Sequence, residues 1–102
     1  MRVAMIVFVE KVYVDNSQIL FVKPKSYSFD RIYRSTMGVN WDENKRCLYQ
    51  AHPSREWDIL RWYKQILLAV KSEYGITLKI CSDTIYENIE PEVQKSIEKD
   101  QL

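Results

Sequence analysis

Residues 2–14 contain neither Gly nor Pro, and from Val3 to Val9 both alternating faces of the chain are apolar. A strand built that way belongs in the middle of a sheet, covered above and below. The apolar run then meets Glu10 and Lys11, with no small-residue cleavage site after it. It falls far short of the roughly 20 residues that span a bilayer, and it lacks the layout of a secretory leader. The expectation is a cytoplasmic chain with no membrane partner, its Cys47 and Cys81 being free thiols.

The rest of the chain arranges itself around that strand. Asp15, Asn16 and Ser17 are turn formers, and Ile19–Val22 is a second short strand ended by Lys23-Pro24, so a hairpin opens the protein. Phe29, Ile32, Tyr33, Thr36 and Met37 follow a helical stripe, with Ser28 as a cap and Gly38 just past the end. They predict a short helix over 28–37, although Tyr27 and Phe29 alternate as a strand would. Val39–Trp41 and Arg46–Gln50, joined by Asp42-Glu43-Asn44-Lys45, read as a second hairpin.

The longest helical pattern runs from about 54 to 74. Pro53 and Ser54 mark its start, Glu56 and Asp58 place negative charge in its first turns, and Gly75 ends it. Ile59, Leu60, Tyr63, Ile66, Leu67, Val70 and Tyr74 share one face, which must cover the sheet. Ile76, Leu78 and Ile80 alternate as a half-buried strand. Asp83 offers a cap, and Pro91 opens a weaker final helix over 91–100, anchored by Val93 and Ile97. The expected fold is α+β: one domain over 1–102, with a single, mostly antiparallel sheet of about five strands. The long helix packs on it, with shorter helices near 28–37 and 91–100.

Several chemistries are excluded by counts. The only glycines, Gly38 and Gly75, are too far apart for a dinucleotide fingerprint or a phosphate loop. One histidine, His52, rules out sites that need two. Cys47 and His52 are five apart, an odd spacing that turns them to opposite faces of a strand, so no local nucleophile–base pair forms. Nothing in the spacing of Cys47, Cys81, His52 and Asp83 demands a metal. Asp42/Glu43 and Glu90/Glu92 lie on turns, where solvated carboxylates make poor catalytic acids. No catalytic residue, metal ligand or cofactor is assigned.

The net charge of +1 argues against a wholesale polyanion binder. Its distribution is uneven: residues 1–81 carry 13 basic and 8 acidic side chains, and residues 82–102 carry 2 and 6. The C-terminal segment is therefore either a solvated acidic helix or one that lies over a basic face. Lys23, Lys25, Arg31 and Arg34, interleaved with Tyr27, Phe29 and Tyr33, make nucleic acid the weaker alternative partner. A helix-surface ion pair between Asp30 and Arg34 explains part of that run more simply.

The 13 aromatic residues outnumber what one helical stripe can bury. Trp57, Arg61, Lys64 and Leu68 fall on one shoulder of the long helix, and Trp62 and Ala69 on the other. Tryptophan beside arginine is the composition of an interface anchor. That surplus favours a binding or interaction module, a homodimer or a protein docked on another protein. Recognition is assigned to Trp57, Arg61 and Leu68, and to the polar surface of Asp30, Arg31, Arg34, Trp41 and Asp42. The alternative is a small-molecule binder or cofactor-free enzyme with an aromatic-lined pocket between sheet and helix.

Phe29-Asp30-Arg31-Ile32-Tyr33-Arg34, Gly38-Val39-Asn40-Trp41-Asp42, and Arg55-Glu56-Trp57 with Trp62-Tyr63 resemble small orphan proteins of bacterial integron gene cassettes. The resemblance covers roughly residues 28–68. It implies a bacterial, soluble accessory protein of unassigned biochemistry, often an oligomer. That group shares no activity, so no catalytic residue carries over.

Overall fold

A computed structural model describes residues 5–51 and 56–101. The strands β1 (Met5–Val14), β2 (Leu20–Pro24), β3 (Val39–Asp42) and β4 (Cys47–Gln50) precede the long helix α1 (Ile59–Tyr74). Strands β5 (Ile76–Lys79) and β6 (Ile85–Glu87) and the helix α2 (Pro91–Gln101) follow it. The fold is α+β. The sheet has six strands in the order β3-β4-β2-β1-β5, with β6 also paired to β1.

The sheet is mixed, mostly but not purely antiparallel. The pairs β1–β2, β2–β4 and β3–β4 are antiparallel, while β1 pairs in parallel with β5 through Met5–Phe8 and with β6 through Lys11–Tyr13. The parallel pairs arise because α1 returns the chain to the far edge of β1, as a crossover does. Strand β6 is absent from the sequence expectation. Its three residues have an exposed–intermediate–exposed pattern, too short and too little buried to leave a periodic signal.

A bulge in β1 keeps its apolar residues in phase. Val9 pairs with Pro24 and Lys11 with Lys23, so Glu10 is an extra residue between them. Before it the odd positions Val7 and Val9 face inward; after it the even positions Val12 and Val14 do, all four buried. Those valines, with Leu20, Val22, Leu48, Ile76 and Leu78, make the sheet's contribution to the core.

Helix α1 starts at Ile59, later than the expected 54. Asp58, extended at ψ 173, is its cap, and its carboxylate accepts the backbone N–H of Arg61 at 2.8 Å. Pro53 and Ser54, read as its start, and His52 lie outside the described residues. Gly75 ends the helix at φ 69, and its N–H donates to Lys71 O at 2.9 Å. The buried face is Trp62, Tyr63, Ile66, Ala69 and Val70. It is rotated toward the shoulder of Trp62 and Ala69, the side on which Gln65 Nε2 donates to Met37 O at 3.0 Å; Leu67 is only half-buried.

The expected helix over 28–37 is a single 3₁₀ turn, Ile32–Ser35, with Thr36 left-handed just after it. Phe29 and Ile32 are fully buried beneath this turn, so the apolar spacing that suggested a helix reports two core anchors on an irregular loop. The expected acidic C-terminal segment does meet basic groups. Asp83 pairs with Lys25 at 3.5 Å, Glu87 with Lys11 at 3.3 Å, and Asp100 with Lys64 at 3.1 Å.

Candidate functional site

Both helices lie on one side of the sheet. Ile97 of α2 is buried against α1, and Tyr86, the inward residue of β6, packs against the same core. Among the described residues the outward face of β1 therefore has no layer over it, contrary to the expectation of a strand covered on both sides. Ile6 is 50% exposed, Phe8 45% and, on β6, Ile85 56%.

Farther along the same face, cross-strand register lines up Tyr13, Phe21 and Tyr49. Tyr13 stacks on Phe21 at 5.0 Å and Phe21 on Tyr49 at 5.5 Å. Lys45 Nζ sits 4.4 Å from the Phe21 centroid and Lys11 Nζ 4.8 Å from that of Tyr13. The rings cover one another, leaving Phe21 buried. Lys23–Glu10 at 3.3 Å joins the Lys11–Glu87 and Lys25–Asp83 pairs here. Opposite charges thus alternate around the exposed Ile6, Phe8 and Ile85.

Cys47 does not have the setting of a catalytic nucleophile. Both cysteines are free thiols. Cys47 is buried; its Sγ donates to Lys45 O at 3.3 Å and shares a hydrogen bond with Tyr13 Oη at 3.6 Å. Burial pushes the Cys47 thiol up and, with the Cys47 contact, raises the Tyr13 phenol well above its ordinary value. The Cys81 thiol is held below its usual value, first by the Thr84 hydroxyl and further by Lys25. Thr84 is itself committed to Val9 O at 2.7 Å, beside the bulge. Among the described residues no group of acids, cysteines and histidines is placed to hold a metal ion.

The sequence-assigned residues separate into two places. Trp57 precedes α1 rather than riding on it, half-buried, its ring 4.9 Å from that of Trp62 and the Arg61 guanidinium 4.3 Å above it. Leu68 is 54% exposed, about 10 Å farther along the axis from Arg61. Trp62, placed by periodicity on an outer flank, is fully buried.

Asp30, Arg31 and Arg34 are exposed around the 3₁₀ turn, where the Arg31 N–H donates to Tyr74 Oη at 2.9 Å. Among the described residues no ion pair joins Asp30 to Arg34, since one 3₁₀ turn does not bring positions i and i+4 together. Trp41 and Asp42 stabilise the second hairpin. The Trp41 indole N–H donates to Glu43 Oε2 at 2.6 Å, and Asp42 Oδ1 accepts the Lys45 N–H at 2.9 Å. The basic–aromatic run is split, with Lys23 and Lys25 on the open sheet face and Phe29 in the core. Sequence reasoning missed Ile6, Phe8 and Ile85. For Ile6 and Phe8 the signal was present as the doubly apolar strand, but exposure on one face cannot be told from burial on both; Ile85, on the three-residue β6, left none.

Among the described residues no helix is long and apolar enough to cross a membrane. Residues 7–84 match the family described as Integron Cassette Protein Hfx_Cass5. A solved structure of Integron Cassette Protein Hfx_Cass5, from the mobile metagenome of North West Arm Sewage Outfall, is similar at 31% identity. The likeness covers 97% of this chain and 95% of that one, with a TM-score of 0.46. No curated protein matches.

Proposed function

The chain belongs to the Hfx_Cass5 family of integron cassette proteins, a membership that specifies no activity, and we propose that it is an interaction module that pairs with a second copy of itself. The surface that serves is the uncovered face of the sheet. The observation that carries this reading is that β1 is apolar on both faces while the described residues cover only one, leaving Ile6 and Phe8 about half exposed. Apolar side chains gathered on one open face are the usual mark of a surface that another molecule covers.

A second copy is the occupant favoured by charge. The cations Lys11, Lys23 and Lys25 on this face alternate with the anions Glu87, Glu10 and Asp83. A balanced rim offers little to a polyanion, but under two-fold symmetry it meets its own complement, each sign facing the other. No reaction is needed for this role, and none is assigned.

Two single substitutions test it. Phe8→Glu should convert a dimer to a monomer in light scattering while the thermal midpoint of the monomer stays close to that of the parent, because the side chain is exposed. Leu68→Glu, on the outer side of α1, should leave the dimer intact. Dissociation by Leu68→Glu and not by Phe8→Glu would move the interface to the helix and overturn the sheet-face reading.

A further inference from the structure

A second place in the molecule is built to hold something smaller. Where the ends of β1 and β4 meet the start of α1 and the β6–α2 connection, there is a cleft of about 440 Å³. Small-molecule sites commonly span roughly 300–1,000 Å³. Its walls include Val93 and Ile89, and its polar groups come from separate elements that would not converge without the fold.

Gln50 is the decisive one. It is the single buried polar residue among the described residues, 4% exposed, and it lines the cleft. Its Oε1 accepts the Leu20 backbone N–H at 3.1 Å, which fixes the orientation of the amide. The amide NH₂ then points away from Leu20 and has no acceptor among the described residues. Asn88 is oriented in the opposite sense. Its NH₂ donates to Val14 O at 3.1 Å, so its Oδ1 is left to accept.

One donor and one acceptor on a cleft wall are the complement of a carboxamide, whose carbonyl takes the Gln50 NH₂ and whose own NH₂ meets Asn88 Oδ1. Trp57 supplies a ring wall, held in contact with Trp62 and the Arg61 guanidinium. The only charged residues among the described lining are the acids Asp58 and Glu90. We propose that this cleft is a binding site for a neutral or cationic planar ring carrying a carboxamide.

The test is a ¹⁵N-detected titration of the full chain with three molecules of one shape: nicotinamide, the 1-methylnicotinamide cation and the nicotinate anion. Nicotinamide and its cation should shift the Gln50 and Asn88 side-chain amides and the Trp57 indole, with nicotinate weaker by at least about tenfold, having lost the donor and gained a repelled charge. Gln50→Glu keeps an acceptor for Leu20 and removes the donor, and should weaken nicotinamide by a similar factor. Val93→Phe, which narrows the cleft without touching Gln50, should abolish the shifts even if Gln50→Glu folds poorly. Nicotinate binding as well as nicotinamide, shifts confined to residues outside the cleft, or no shifts at all would overturn the proposal.

Discussion

Thr36 holds a β-branched side chain at φ 55, a backbone region that L-residues with branching at Cβ rarely enter. It does so because the 3₁₀ turn must reverse between the buried Ile32 and the buried Val39. Gly75 sits at φ 69 with nothing within 4 Å of where a Cβ would be, so a side chain there meets strain without a clash. These two positions predict opposite signs in chemical denaturation. Gly75→Ala should lower unfolding stability by about 1 kcal/mol, and Thr36→Asn should raise it by about 0.5–1 kcal/mol. Gly75 was legible in the sequence as a helix terminator because glycine at that point has one dominant use. The left-handed Thr36 was not, because its conformation is imposed by core anchors on either side of it.

Among the elements, β1 carries most of the account. Its bulge at Glu10 lets Val7 and Val9 share a face with Val12 and Val14. Deleting Glu10 would remove the extra residue and leave Val7, Val9, Val12 and Val14 in simple alternation on one face, with the Val9–Pro24 and Lys11–Lys23 pairs kept. The expected outcome is a cooperative thermal transition retained by the deletion and by Glu10→Ala alike, each at the cost of one exposed ion pair. The apolar alternation of β5 and the extent of α2 were readable from sequence because one face of each dominates. The exact face of α1 was not. Trp62 and Leu67 lie on opposite shoulders with similar apolar character, and only the tertiary placement of the hairpins decides that Trp62 is buried and Leu67 half so.

For the whole molecule, the surplus of aromatic residues resolves into three uses. Trp62, Tyr63 and Phe29 fill the core, Tyr13, Phe21 and Tyr49 line one sheet face, and Trp57 walls the cleft. Several of the phenols are buried enough to resist ionisation. Desolvation pushes Tyr86 from its ordinary 10.0 up to about 12, and Tyr63 and Tyr13 shift in the same direction. Below pH 10 these phenols are neutral in both folded and unfolded chains and leave stability unaffected. Above it the unfolded chain releases protons that the folded chain keeps, so stability falls as pH rises from about 10 to about 12. The midpoint in urea, followed by circular dichroism, should decline through that window. A midpoint that is constant to pH 12 would contradict the burial of these rings.

The central claim is that the sheet's open face is covered by a second copy. Sedimentation equilibrium of the unmodified chain over a range of concentrations measures this most directly. The account predicts a species of twice the 12.2 kDa chain mass that dissociates on dilution. A mass of 12.2 kDa at every concentration up to the solubility limit would contradict it.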